Sequence, residues 1–321
     1  MIADTFERLR GLALPSDTWV LTARDLVGAV REAVPEVPAR QVVGEPQGKN
    51  TAPAVALAAW SLRHAGEDAV AAVLPSDHRI RPAEGFRSEL AAAARVALER
   101  RAIVTFGIPA TRPETGYGYI EVGPPVAPGS DVNHVAAFRE KPDRATAERY
   151  ASDGRHLWNA GLFVFAPSVM LEEVRTHAPE IARLLPEQAG SVADWEPAAL
   201  ERYYAGAPSI SIDYAVMERS KQALVARAGF EWDDVGSWAA LGSERAGTDA
   251  HGNLARGPAI LEDCRGVIAF GEGGLIAALG VSDLVIVRTG DVTLVCPRGR
   301  AQEVRALVTR LEEREDLRGF R

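Results

Sequence analysis

Two short runs bring together residue types suited to a sugar phosphate. In residues 134–142, the apolar run 135–138 delivers Arg139, Glu140 and Lys141 to a strand end. Pro142 then stops pairing, because it has no N–H to donate. In residues 158–165, Trp158-Asn159-Ala160-Gly161 leads into a second apolar run, 162–165. Strand ends carrying Glu140, Lys141 and Asn159 would set an acceptor, a cation and an amide around one crevice. The carboxylate and amide take hydroxyls, and the ammonium takes a phosphate. Taken alone, Glu140-Lys141 reads more simply as a surface ion pair, since charged groups are mostly solvated.

Two carboxylates stand at other predicted strand ends. Leu74-Pro75-Ser76-Asp77-His78 closes an apolar run, so Asp77 falls where a divalent metal and a triphosphate sit in α/β proteins. The simpler reading is a turn residue. Residues 231–238, EWDDVGSW, follow the predicted strand 224–228, and Gly236 after Asp234 suggests tight backbone beside a ligand. Asp77 and Asp234 together would hold one Mg²⁺ between phosphate oxygens.

Three further runs join them. In residues 45–53, Gly48 lets backbone approach a ligand, and Asn50 or Thr51 either reads a purine edge or caps a helix. Gly116 and Gly118, in TGYGY, press backbone against a sugar ring or turn a hairpin. Asp213 opens a helical run, where the helix dipole alone would favour an acid. His78, His134 and His156 show no metal-ligand spacing.

The surrounding sequence alternates as a scaffold for such sites must. Residues 19–22, 42–43, 69–74, 103–108 and 224–228 read as strands; residues 25–34, 51–64 and 86–100 read as helices. The uninterrupted apolar run 69–74 predicts a strand buried on both faces. This alternation predicts an α/β fold with a parallel sheet, helices on both sides and ligands at the carboxyl ends of strands. The chain opens on an amphipathic helix with Ile2, Phe6, Leu9 and Leu12 on one face. Beyond residue 245 the texture turns β-rich, with short runs broken by Gly and Asp and no clear fixed period. That predicts a small sandwich or the coils of a β-solenoid. The expected division is 1–245 and 246–321. A last helix, 300–314, puts Ala301, Val304, Leu307, Val308 and Leu311 on one face, expected to dock on its own domain, with a homodimer contact as the alternative.

Composition narrows the function classes. The 321 residues are 47% hydrophobic and 25% charged, with a formal net charge of −8. That balance argues against a nucleic-acid binder, which needs a basic face. Cys264 and Cys296 lie far apart and read as buried thiols. The N-terminal segment has no signal-peptide pattern, and no run approaches a membrane span. The cytoplasm is the expected compartment.

In order, GEPQGKNTAPA, VLPSDH, TGYGYI, FREKP, WNAGLFVF, SIDYAVME and WDDVGSW resemble the mannose-1-phosphate guanylyltransferase (GDP-mannose pyrophosphorylase) family. The resemblance implies a Rossmann-like nucleotidyltransferase sheet and a smaller C-terminal β-helical region. It implies GDP-mannose and pyrophosphate made from GTP and mannose 1-phosphate, by in-line attack with Mg²⁺ and without a covalent enzyme intermediate. Carried over motif by motif, Asp77 and Asp234 hold the Mg²⁺, and Lys141 meets the sugar phosphate. Glu140, Asn159 and the Gly116–Gly118 turn face mannose, Gly48, Asn50 and Thr51 contact guanine, and Asp213 joins the substrate-binding set. The family's opening strand and loop, GGxGxRLWPLSR, which grips the triphosphate, is not found in this sequence. That departure suggests a start codon placed late, with a unit of roughly 30–50 residues upstream. The competing expectations are a truncated gene product, a catalytically silent nucleotide-sugar-binding regulatory subunit, or a sister transferase for another sugar phosphate.

Overall fold

Residues 103–108 are apolar or small, and all six are buried in the middle of a mixed sheet. The computed structural model describes residues 1–63, 69–188, 190–235 and 247–320. They form two compact units, Met1–Trp232 and Asp233–Arg321. The first begins with α1 (Ile2–Arg8), β1 (Val20–Ala23), α2 (Val27–Ala33), β2 (Val42–Glu45), α3 (Thr51–Leu62), β3 (Ala71–Val73), β4 (Arg79–Arg81) and α4 (Ala83–Arg100). It continues with β5 (Ile103–Pro109), β6 (Tyr119–Pro125), β7 (Val132–Arg139), α5 (Arg144–Ser152), β8 (His156–Phe165), α6 (Pro167–His177), α7 (Pro179–Ala182), α8 (Pro197–Gly206) and β9 (Ala223–Arg227). The short β10 (Glu231–Asp233) pairs with β4.

The six-stranded sheet runs β3-β8-β5-β9-β7-β6, and β1 and β2 form a separate parallel pair. Helices cover both sheet faces, as expected. Ile103, Phe163 and Phe165 point into a core shared with α3 and α6. Val104, Phe106 and Val164 point into the opposite core, against α4. The expected parallel sheet needs correction. Only β5 and β9 run parallel within it, while β8 is antiparallel to β3 and β5, and β7 to β6 and β9. Residues 126–131, between β6 and β7, are too few for the crossover a parallel pair needs. Strand–helix alternation carries no information on such a hairpin.

Two local expectations also change. The run 69–74 yields only β3, an edge strand with Ala72 exposed, rather than a strand buried on both faces. Along α1 and its C-cap, Ile2, Phe6 and Leu9 pack against apolar cores as expected, but the buried residues of the helix are Thr5 and Arg8, and Leu12 lies 40% exposed. The polar side of that helix makes the specific contacts, because Thr5 and Arg8 meet carbonyls elsewhere. Residue 64, the expected end of α3, lies outside the described residues.

The second unit contains β11 (Leu254–Arg256), β12 (Ala259–Glu262), β13 (Ile268–Glu272), β14 (Ile276–Leu279), β15 (Leu284–Thr289), β16 (Val292–Pro297) and α9 (Val304–Glu313). β11, β13 and β15 stack in parallel, as do β12 and β14. This resolves the open choice in favour of solenoid coils. Leu254 stacks on Ile268 and Ile268 on Val285, so one coil takes 14 residues and the next takes 17. Unequal coils explain why no period shows in the sequence. Leu254, Ile268, Val285, Val287 and Ala301 fill the core. Cys264 is buried, whereas Cys296 is only half-buried. The apolar face of α9 does not dock along its whole length: Ala301 is buried just before the helix, but Leu307 and Val308 are exposed. Among the described residues no helix is long and apolar enough to cross a membrane.

Candidate functional site

β8 carries the centre of the site at an irregularity in its own pairing. Its register with β5 shifts between Thr105 and Gly107, and the extra residues on β8 fall at 160–162. Gly161 takes φ +67°, a left-handed conformation that an L side chain adopts only under strain. The break turns the Asn159 side chain into a network. Its Oδ1 accepts from the Gly161 N–H and from the fully buried Thr105 hydroxyl, both at 3.1 Å. A backbone N–H can only donate, so the amide orientation is settled, and Nδ2 donates to Asp213 Oδ1 at 3.0 Å. The Asn159 backbone N–H donates to Gly118 O at 2.8 Å.

Asp213 opens a single π-helical turn, Asp213–Met217, rather than an α-helix. Burial, and then the neighbouring Glu140 carboxylate, raise its pKa to about 7, against the weaker pull of Lys141 and Asn159. The helix dipole expected to favour this acid would lower its pKa, as its backbone hydrogen bond does, but burial outweighs both. The wider turn aligns residues five apart, and Glu218 N–H donates to Asp213 O at 2.9 Å. Glu218 in turn accepts the Glu140 N–H at 3.0 Å, and the Tyr214 hydroxyl donates to Glu140 O at 3.4 Å. The Glu140 side chain, only 9% exposed, pairs with the half-exposed Lys141 ammonium at 3.1 Å. Lys141 itself sits at φ +45° and donates its N–H to Tyr117 O. A Cβ on Gly118 would lie 2.5 Å from Glu140 Oε2, so an added methyl there would push that carboxylate aside.

A test follows from Asp213. The folded protein holds its proton up to about pH 7, whereas the unfolded chain releases it near the ordinary value of 3.8. Stability from this group therefore falls as pH rises from about 4 to 7 and stays low above it. Asp213→Asn should be more stable than the parent at pH 8, by roughly 2–4 kcal/mol. The gain should vanish near pH 4, as read by denaturant unfolding across that range.

The loop before α3 is fastened to the same turn. Asn50 adopts φ 63° and ψ −165°, and its side-chain oxygen accepts the Thr51 N–H at 2.9 Å. Thr51 Oγ1 accepts the Ile212 N–H at 2.9 Å. Gly48 is exposed, and a Cβ there would meet no protein atom within 4 Å. Gly116 lies in a bend and donates to Glu114 Oε1 at 3.3 Å. That bend is no hairpin, because β5 and β6 are not neighbours in the sheet.

Asp77 is exposed in the turn between β3 and β4. α1 braces that turn: the Thr5 hydroxyl donates to Ser76 O at 3.2 Å and Arg8 to His78 O at 3.0 Å. The Trp232 indole donates to His78 Nδ1 at 3.1 Å, with the rings edge to face at 5.2 Å. Gly161 lies against this turn, since a Cβ there would come within 3.8 Å of Pro75 and His78. Asp77 belongs to the first unit and Asp234 to the second. Gly236, Ser237 and Trp238, from the WDDVGSW run, lie outside the described residues.

The structure thus clusters Gly118, Glu140, Lys141, Asn159 and Asp213, and ties Thr51 to Ile212 beside them. Sequence reasoning missed Thr105, Glu218, Thr5, Arg8 and Trp232. Glu218 ends the SIDYAVME run, but a helical period of 3.6 does not align it with Asp213. The mixed sheet, its two helical layers and this cluster define a nucleotidyl transferase, and the chain belongs to that family: residues 1–249 match the family model described as "Nucleotidyl transferase". Residues 257–311 match a second, described as "MannoseP isomerase/GMP-like beta-helix domain". The Xanthan biosynthesis protein XanB of Xanthomonas campestris is 42% identical over 84% of this chain and 56% of that protein. A mannose-1-phosphate guanylyltransferase of Escherichia coli is 35% identical over 84% of this chain and 59% of that protein. The chain therefore spans a little over half the length of these relatives. A crystal structure from Thermus thermophilus, described as mannose-1-phosphate geranyltransferase, superposes with a TM-score of 0.81 at 37% identity, covering 97% of this chain and 89% of that one. A putative mannose-1-phosphate guanylyltransferase of Vibrio cholerae is 38% identical over 100% of this chain and 69% of that protein.

Proposed function

We propose that the chain transfers the guanylyl group of GTP to mannose 1-phosphate, forming GDP-mannose and pyrophosphate. The observation that carries this reading is the cluster of Glu140, Lys141, Asn159 and Asp213 beside the Gly118 turn. An oxygen of the sugar phosphate attacks the α-phosphorus of GTP, a new P–O bond forms, and the bond to the β-phosphate oxygen breaks. Lys141 holds the sugar phosphate by a charge-assisted contact. Glu140 accepts from sugar hydroxyls, Asn159 donates to one through its second amide hydrogen, and the Gly116–Gly118 backbone lies along the ring. Asp213, protonated up to about pH 7, limits the negative charge facing the incoming phosphate. Gly48, Asn50 and Thr51 form the loop that reads guanine. We assign this chemistry to the cytoplasm.

Asp77 and Asp234 are the residues we assign to Mg²⁺. Their carboxylate oxygens suit a hard cation. Among the described residues no group of three or more His, Cys, Asp or Glu forms a complete cage. Mg²⁺ commonly binds through one or two carboxylates plus substrate phosphates. When bound, the ion would neutralise phosphate oxygens as charge shifts toward pyrophosphate.

A panel of nucleoside triphosphates and sugar 1-phosphates tests the assignment. GTP with mannose 1-phosphate should give the highest kcat/KM, because a site that hydrogen-bonds hydroxyls discriminates strongly against analogues that leave its polar groups unpaired. Equal turnover of glucose 1-phosphate, or preference for another base, would count against it. Gly118→Ala should weaken mannose 1-phosphate binding by about tenfold, or 1.4 kcal/mol, because the added methyl must displace the Glu140 carboxylate. Calorimetry reads that loss directly, and unchanged affinity would remove Glu140 from the sugar site.

A further inference from the structure

Two segments some 160 residues apart in sequence are closed on each other by three hydrogen bonds. The Ile210 N–H donates to Lys49 O at 3.2 Å, and the Ala52 N–H donates to Ile210 O at 3.1 Å. These two form a reciprocal backbone bridge. The third bond uses a side chain: Thr51 Oγ1 accepts the Ile212 N–H at 2.9 Å. Ile212 is 1% exposed and immediately precedes Asp213. Its N–H, left without Thr51, would be a buried donor without a partner, and such groups are costly.

The bracket holds a strained residue on one side and a buried acid on the other. Asn50 has φ 63° and ψ −165°, a conformation that persists in a non-glycine residue only when its surroundings over-determine it. Asp213, on the far side, is held by its turn and by the Asn159 amide. The Tyr203 hydroxyl pins the same end of α3 by donating to Pro53 O at 2.8 Å. Of the three bonds that close the bracket, the one to the Thr51 hydroxyl is the one a side-chain substitution can remove.

We propose that Thr51 is a positioning residue that joins the base-reading loop to the sugar-binding turn, so that filling either subsite orders the other. This rests on the assignment of the two subsites made above. Linkage makes the coupling reciprocal: the factor by which a purine nucleotide tightens sugar-phosphate binding equals the factor in the other direction.

GMP and mannose 1-phosphate are the probes, because together they occupy both subsites without turnover. The full chain should bind mannose 1-phosphate at least about fivefold more tightly with GMP present, within the usual range of coupling energies. Thr51→Val keeps the shape but removes the acceptor. It should bind mannose 1-phosphate about tenfold more weakly and show no enhancement by GMP. Thr51→Ser restores the acceptor and should restore both. A purely space-filling role would be kept by Val and weakened in Ser, the reverse pattern. Amide hydrogen exchange is the second readout: in Thr51→Val it should quicken at residues 48–52 and 210–217 and stay unchanged in β5 and β9. Thr51→Cys, with a weaker acceptor, replaces Val if that variant does not fold, and should show a smaller loss of the same kind. Coupling retained in Thr51→Val, or unchanged exchange at 210–217, overturns the proposal. If the parent chain binds neither probe, the functional assignment fails, and the exchange pattern alone decides whether Thr51 joins the two segments.

Discussion

Lys141→Ala should raise the KM for mannose 1-phosphate by roughly 10- to 100-fold and leave kcat within about a factor of two. The range follows from losing one hydrogen bond to a charged group, about 1.5–3 kcal/mol. Lys141 makes its ion pair with Glu140 at 3.1 Å while remaining half-exposed, so its ammonium can turn to an incoming phosphate without leaving a buried site. The contact is made equally in the ground and transition states, which is why KM should carry the change. A second consequence is electrostatic. Lys141 is one of the groups that lower the Asp213 pKa, so its removal should push that pKa further up from about 7. The left-handed backbone at residue 141 strains alanine as well as lysine. Lys141→Gly therefore serves as the control: it relieves that strain and should show the same KM defect. A kcat loss with unchanged KM would move Lys141 out of the sugar-phosphate role.

Asp234→Asn should lower kcat by about 100-fold or more at ordinary Mg²⁺ concentrations. An amide keeps the shape of the carboxylate but loses the charge that holds a divalent ion, and losing about 2.7 kcal/mol of barrier stabilisation is a hundredfold in rate. Titration of Mg²⁺ at saturating substrates separates the causes. The variant should need far more metal for half-maximal rate, and Asp77→Asn should shift the same titration. A parent-like Mg²⁺ requirement for half-maximal rate in either variant would remove that residue from the metal site.

Much of the architecture was readable because burial imposes a period. The apolar runs at 103–108 and 162–165 are central strands, and the Ala-rich segment from residue 51 packs against the sheet because small residues allow close approach. Strand direction was not readable. It depends on which strands become neighbours, and the short connection between β6 and β7 gives no hydrophobic signal of its own. The site was legible in its residue types, and Glu140 and Lys141 follow the end of β7 as their flanking run implies, whereas Asn159, expected at a strand end, lies inside β8 beside its bulge. Asp213 was legible only as an acid. Its raised pKa arises from burial beside Glu140, a neighbour 73 positions away in sequence that no local pattern connects. Thr5 and Arg8 were hidden for a related reason: they look like the polar side of an amphipathic helix, yet they are the side buried against the Asp77 turn. The solenoid was missed as a repeat because its coils differ in length.

Phosphorus NMR of GTP, mannose 1-phosphate and Mg²⁺ incubated with the full chain tests the central assignment most directly. GDP-mannose and pyrophosphate should appear in equal amounts, at the expense of both substrates, and neither should form without the metal. Persistence of both substrates, or conversion of GTP to GDP and inorganic phosphate with mannose 1-phosphate untouched, would contradict it.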